Sequence, residues 1–330
     1  MTDQTVKTKA GLEIHPSVTR YDSSKLQTFG QCQRRFFYRY VLGWEPVRSS
    51  VHLVHGDAFH RALDILYQGG FTPTPDRIQD AFDEYFRVYR ETFSIDWDDI
   101  NAPKNPDNAL QALINYCAYY KNDVTSFDVL YTEVAGRVPV SEHDTVHFRI
   151  DLIVKNSEGV SIVEHKTASR MDPNWGDQFA FKIQTGTYSH VGHCLFGDDF
   201  YGMRINGIVF TKSAQSSAQK QFIRVPIRKS LDQMDVWLWT VNDYIHRVEV
   251  ELARLFECSE SDSVMRAYPM NAEACFNFGQ RCPYYEHCRM WSNPLQHAAD
   301  VPDDFKISWW DPSDREKTAK KVFDLSAVTT

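Results

Sequence analysis

Phe148-Arg149-Ile150-Asp151-Leu152-Ile153-Val154, followed by Lys155-Asn156-Ser157-Glu158-Gly159 and then Val160-Ser161-Ile162-Val163-Glu164-His165-Lys166, reads as two β-strands joined by a tight turn. The first segment alternates Phe148, Ile150, Leu152 and Val154 on one face with Arg149, Asp151 and Ile153 on the other, the period of a half-buried strand. The second is β-branched at Val160, Ile162 and Val163, and the polar stretch closing at Gly159 suits a hairpin turn. Either Asn156 faces Gly159 across a two-residue turn, or Lys155 faces Val160 across a four-residue one. Both registers put Asp151 opposite Glu164, with Cβ atoms roughly 4.5–5.5 Å apart. Carboxylates that close repel unless a cation lies between them. Lys166 points to the same face as Glu164, and a one-residue slip would undo the arrangement. Hard oxygen ligands at that separation suit Mg²⁺ or Mn²⁺, ions that activate water and stabilise a pentacovalent phosphate while a lysine orients the nucleophile. A surface hairpin with a cross-strand charge cluster would carry the same three residues, so spacing alone does not decide between them.

The chain has 330 residues, 42% hydrophobic and 14% aromatic, the composition of a globular protein with a core. No apolar run approaches the roughly 20 residues that span a bilayer. The polar start, Met1 to Lys9, lacks the apolar centre of a signal peptide. The expectation is a cytoplasmic protein without membrane contact, whose seven cysteines are not a disulfide framework. The formal charge of −8 weighs against nucleic-acid binding, although a local basic groove is compatible with it. No phosphate-binding Walker A sequence is present, so the chain carries no motor of that kind.

Residues 1–20 read as a polar arm. Ser24-Lys25-Leu26-Gln27 has the form of a capping box, opening a helix whose apolar stripe runs through Leu26, Phe29, Phe36, Phe37, Tyr40 and Val41. Further helices are expected at about 56–67, 76–92 and 107–124, with a loop from Trp97 to Asp107. Strands follow at about 128–140 and in the hairpin. Then come a helix at about 177–196, strands at 205–211 and 222–227, and a long helix at about 229–257. The helix at 177–196 carries Gln184 and Tyr188 at i and i+4 on one face. This order describes an α/β domain with a central mixed β-sheet flanked by helices, a helical insertion at 56–125 and a sheet at 126–228.

Cys275-x6-Cys282-x5-Cys288 packs three thiols into a short loop-rich segment at 270–290. In a cytosolic protein that pattern points to metal. The fourth ligand is Cys32, on the first helix, or His287, Cys117, Cys194 or Cys258, the last three of which are more simply core thiols. Zn²⁺ and an iron–sulfur cluster both suit thiolates. Closure onto Cys32 would staple the first helix to the C-terminal segment.

Taken together in order, Gly56-x3-His60, Asp151, Glu164-x-Lys166, Gln184-x3-Tyr188 and the split set Cys32, Cys275, Cys282 and Cys288 resemble the PD-(D/E)XK nuclease superfamily. The resemblance is to its RecB-like branch with an iron–sulfur cluster, the branch of the AddB nuclease domain and the CRISPR-associated adaptation nucleases. Two departures stand out: Ile150 occupies the place of the motif's proline, and six residues separate Cys275 from Cys282 where many relatives have two. The resemblance implies a restriction-endonuclease-like core forming a single nuclease domain over 21–292, with a tail at 293–330. It implies that His60, Asp151, Glu164 and the backbone carbonyl of His165 hold Mg²⁺ or Mn²⁺, and that Lys166 is the catalytic lysine. Gln184 and Tyr188 would line the site, and Glu133 would be a further acid. The four cysteines would ligate a structural [4Fe-4S] cluster. The activity implied is a metal-dependent DNA exonuclease at single-stranded ends, from a phage or prokaryote, serving recombination, repair or CRISPR-type processing beside a separate helicase or recombination protein. A cleavage-silent DNA-end-binding protein on the same fold is the alternative, and an RNA-directed or structure-specific nuclease is a third reading.

Overall fold

The protein is described as a computed structural model covering residues 7–211, 221–277 and 280–326. Strand β1 (Tyr21–Asp22) leads into helix α1 (Ser23–Gln31), α2 (Gln33–Phe36), a π-helical turn and β2 (Trp44–Pro46). A helical block follows: α3 (Val51–Tyr67), α4 (Pro75–Arg90), α5 (Asp98–Asn101), α6 (Pro106–Tyr119) and α7 (Asp123–Ser126). Then come β3 (Asp128–Pro139), β4 (Thr145–Asn156), β5 (Gly159–Ala168), α8 (Ile183–Phe196), β6 (Phe200–Val209) and β7 (Phe222–Ile227). The chain continues with α9 (Leu231–Glu257), β8 (Phe276–Asn277), β9 (Gln280–Arg281), α10 (Tyr285–Met290), β10 (Phe305–Ile307), α11 (Asp314–Lys317) and β11 (Lys321–Asp324).

Seven strands form one mixed sheet in the order β11-β3-β4-β5-β6-β7, with β1 parallel to the start of β4. Strands β3, β4 and β5 meander antiparallel, whereas β5 and β6 are parallel. Parallel neighbours need a crossover, and α8 supplies it. The α/β architecture expected from the element order is the one observed. The hairpin register is also the expected one: Leu152 faces Val163, and Asn156 faces Gly159 across a two-residue turn. Gly159 sits at φ +131°, a conformation open to glycine and costly for other residues.

The alternation expected along β4 breaks at Asp151. Phe148 and Ile150 join Ile153, Ile162, Tyr188 and Ile205 in a core on the α8 side, while Leu152 and Val154 pack with Phe59, Leu63 and Tyr116 of the helical block. An unusual backbone lies beside the break. The β3–β4 ladder pairs Thr132 with Leu152 and Val134 with Ile150, and Glu133 between them has φ +49°. That left-handed backbone in a non-glycine residue costs of order 1–3 kcal/mol, and such strain clusters at functional sites.

A third core joins α1, α9 and the C-terminal segment around Trp44, Tyr268 and Tyr284. Several local expectations change. Helix α1 is capped by Asp22, which accepts from the Lys25 amide at 2.8 Å, so the chain enters the helix two residues earlier than the Ser24 box implied. The capping box forms instead at Ser230 and Gln233 of α9. The helix expected to run through Val41 breaks at Cys32, whose backbone is extended at φ −161°. The stretch expected as a loop at 97–107 contains α5. The segment set apart as a tail adds β10 to β2 and β11 to the edge of the main sheet.

Candidate active site

The site lies where β4 and β5 part. Their pairing ends at Leu152 and Val163, and beyond that point the Asp151 side chain takes over: its Oδ2 accepts the His165 amide at 2.8 Å. From α3, His60 Nδ1 approaches the same oxygen to 3.5 Å. From β5, Lys166 Nζ lies 2.5 Å from Glu164 Oε1. From α8, Gln184 binds both partners, accepting from Lys166 at 2.9 Å and donating to Glu164 Oε1 at 3.0 Å. Gln184 also donates to the Tyr188 hydroxyl at 3.1 Å, and Tyr188 in turn donates to the backbone carbonyl of Arg149. All six side chains border one open cleft of about 490 Å³, together with Glu133, Arg149 and Arg315.

Electrostatics separate the two acids. Burial opposes ionisation of Asp151, but the neighbouring His60 charge and the bonds from His60 and the His165 amide outweigh it and hold the carboxyl well below the usual range. Burial, and then the charge of Asp151, push Glu164 up to about 7. His60 is affected first by burial, which disfavours its charge, and then by Asp151, which wins and raises it. Tyr188 is raised well above its ordinary value by burial and by the two acids, so it stays a donor.

Glu133 is raised by burial and by Asp151. It is held by Arg149 at 2.6 Å, bordering the cleft rather than touching the Glu164–Lys166 pair.

The other face of His165 is anchored by a buried network. Its Nδ1 lies 2.8 Å from Asn206 Nδ2, which also reaches the Tyr116 hydroxyl at 2.8 Å. Arg224 closes the network onto Asp123 at 2.7 Å. Burial, chiefly, lowers the His165 ring to about 3; the neutral Nδ1 accepts the Asn206 amide hydrogen.

One observation bears on a cation at this centre. Glu164 Oε2 is buried in the cleft wall without a hydrogen-bond partner, and such an orphaned acceptor is costly. With His60 and Asp151 beside it, the donor set suits a hard divalent ion. Among the described residues, no three His, Cys, Asp or Glu side chains form a finished single-ion site, and Lys166 occupies the other Glu164 oxygen.

The cysteines also converge. Cys32, Cys275, Cys282 and Cys288 border one small hollow with Arg35, Asn271 and Tyr284. The Asn271 amide donates to Cys32 Sγ at 3.4 Å, and the Cys282 amide donates to the Cys275 carbonyl at 2.8 Å. Burial raises the Cys288 thiol to about 12 and raises Cys282 as well. Cys117 and Cys258 lie in the apolar cores, and His287 packs among Tyr38, Trp44, Trp291 and Phe305.

A profile of the PD-(D/E)XK nuclease superfamily matches residues 23–289. The chain belongs to the PD-(D/E)XK nuclease superfamily. Members of this superfamily are generally nucleases and typically use Mg²⁺ or Mn²⁺, and the mixed sheet is that of this fold. No curated protein matches the chain. Among the described residues, no helix is long and apolar enough to cross a membrane. The matched span ends before Trp309, Trp310 and Arg315, which sequence reasoning did not place in the cleft. The adjacent tryptophans in a charged segment were the only signal available.

Proposed function

We propose that the protein is a metal-dependent DNA exonuclease that hydrolyses phosphodiester bonds at single-stranded ends, in recombination, repair or CRISPR-type processing. The observation that carries the reading is the Asp151, Glu164 and Lys166 cluster in an open cleft, with one Glu164 oxygen left without a partner. Asp151, Glu164 and His60, with the His165 carbonyl, would hold Mg²⁺ or Mn²⁺, which when bound supplies an activated water and charge stabilisation at the phosphate. Lys166, fixed by Glu164 and Gln184, places a cation beside the attacking oxygen. Tyr188 and Gln184 hold that lysine's wall of the cleft to β4.

The four cysteines would hold a [4Fe-4S] cluster that staples α1 to the C-terminal segment. Tetrahedral zinc needs its thiolates about 3.8 Å apart, from a Zn–S length of about 2.3 Å. The same four thiols border one hollow, so zinc is the alternative occupant and the metal content of the purified protein decides between them.

End-labelled single- and double-stranded DNA incubated with Mg²⁺, Mn²⁺ or EDTA tests the activity. Metal-dependent shortening from single-stranded ends, lost in Lys166→Ala, is the expected result. Absence of metal-dependent cleavage sinks the reading.

A further inference from the structure

Residues 308–326 form a strap that lies outside the family-matched span and is anchored on both sides of the cleft. Before it, β10 pairs with β2; at its far end, β11 pairs with β3. Between these anchors the strap is held by His147 to Glu316 at 2.9 Å and by Arg149 to Thr318 at 2.8 Å. It thereby carries Trp310 and Arg315 into the wall of the cleft that holds Asp151 and Glu164.

Arg315 differs from the other cations there. Of the four that border the cleft, Arg61 pairs with Asp57, Arg149 with Glu133 and Lys166 with Glu164, whereas Arg315 has no ion pair among the described residues. The strap acids that border the same cleft are engaged elsewhere, Asp314 by Lys317 and Asp311 by Arg20. The guanidinium is exposed and lies 5.1 Å from the Trp310 ring centre, a cation–π distance that holds it in place. Six acids border the same cleft, so an incoming phosphodiester is repelled unless a free cation meets it.

Trp310 is fixed as well: its indole N–H donates to Asp22 Oδ2 at 2.8 Å. It borders both the catalytic cleft and the adjoining groove, whose wall carries Arg35, Arg39, Arg48, Arg281 and Lys306. The ring therefore stands where a strand leaving the basic groove would enter the reaction centre.

We propose that Arg315 and Trp310 form a strand-binding subsite for single-stranded DNA, the guanidinium taking a backbone phosphate and the indole stacking on a base. This rests on the nuclease reading for the identity of the ligand. An unpaired strand offers base faces to an aromatic ring, whereas a duplex keeps them stacked inside, so Trp310 favours single strands.

The test is fluorescence anisotropy of a labelled oligothymidylate, and of a duplex of equal length, in EDTA over a range of salt. The full chain is compared with Arg315→Ala, Arg315→Lys, Trp310→Ala and Trp310→Phe, with thermal melts as a check on folding. Arg315→Ala should weaken single-strand binding about five-fold or more and flatten the slope of log affinity against log salt by about 0.7, with Arg315→Lys restoring the slope. Trp310→Ala should cost about ten-fold on the single strand and little on the duplex, with Trp310→Phe keeping most of the affinity. Unchanged affinity and slope in Arg315→Ala, equal losses on both DNAs in Trp310→Ala, or no binding by the parent chain overturns the subsite. Binding with these dependences but no cleavage with Mg²⁺ or Mn²⁺ leaves the subsite standing and removes the nuclease reading. Cleavage and binding unaffected by all four substitutions does the reverse.

Discussion

The amide of His165 donates to Oδ2 of Asp151 at 2.8 Å, so the acid on β4 is tied to the backbone of β5 where ladder pairing stops. That bond accepts an amide oxygen as readily as a carboxylate. Asp151→Asn should therefore fold but melt lower than the parent chain, because the fold favours the Asp151 charge through His60 and the His165 amide. Cleavage should fall by about 10²–10³-fold. A variant that melts earlier and cuts normally would show that Asp151 is structural; initial rates and thermal melts on one preparation settle it.

Among the described residues, Gln184 is the side chain that hydrogen-bonds Lys166, Glu164 and Tyr188 together. Removing it in Gln184→Ala leaves the lysine held by one partner, and misplacement of a reacting group by about 1 Å costs on the order of 10²-fold in rate. The expected loss is in kcat rather than KM, since Lys166 remains in the cleft. A change confined to KM would assign Gln184 to substrate binding alone.

Cys32 and Cys288 sit on segments far apart in sequence yet border one hollow. If a cluster spans them, protein purified without oxygen should be brown and contain iron and acid-labile sulfide. Cys32→Ala should lose both and melt lower, by about 2 °C for each kcal/mol of lost stapling in a domain of this size. Colourless protein with stoichiometric zinc would replace the cluster with a zinc staple.

His55 is fully buried, with Nδ1 2.9 Å from the Tyr85 hydroxyl, and burial holds its ring well below the ordinary value of 6.5. Above that value the ring is neutral in both folded and unfolded chains, so it makes no pH-dependent contribution. As pH falls below 6.5 the unfolded chain binds a proton that the folded chain refuses, and stability drops. The loss attributable to His55 is at most about 1.4 kcal/mol at one pH unit below that value. Comparing denaturant midpoints at pH 7.5 and 5.5 for the parent and His55→Phe checks it; equal pH dependence in the two proteins would remove His55 from the account.

Gly186 of α8 is packed against α9 so closely that a Cβ there would lie 2.0 Å from Trp237 Cδ1. The ring cannot retreat freely, because its Nε1 donates to the Ile183 carbonyl at 3.1 Å. Gly186→Ala should cost about 1–3 kcal/mol by overpacking. It should also lower cleavage, since α8 carries Gln184 and Tyr188; denaturant melts and rates measured together show whether the two losses track each other.

Much of this protein is readable in local pattern. The period of two in Phe148–Val154, the turn at Gly159 and the i, i+4 spacing of Gln184 and Tyr188 are properties of neighbouring residues. They place the hairpin, its register and the helix beside it. Spacing likewise set the cysteine segment apart from ordinary core thiols. What only the tertiary structure decided are relations across the chain. The facing of β4 changes at Asp151, beside the left-handed Glu133 of another strand, and no periodicity in either strand records that. After residue 293, β10 pairs with β2 in a small separate sheet and β11 joins the main sheet beside β3, partners that lie well over a hundred residues away in sequence. Trp310 and Arg315 reach the cleft through those pairings alone. Local sequence determines the backbone's preferred conformations, whereas the residues that share a cleft are chosen by long-range packing, which a short window of sequence does not contain.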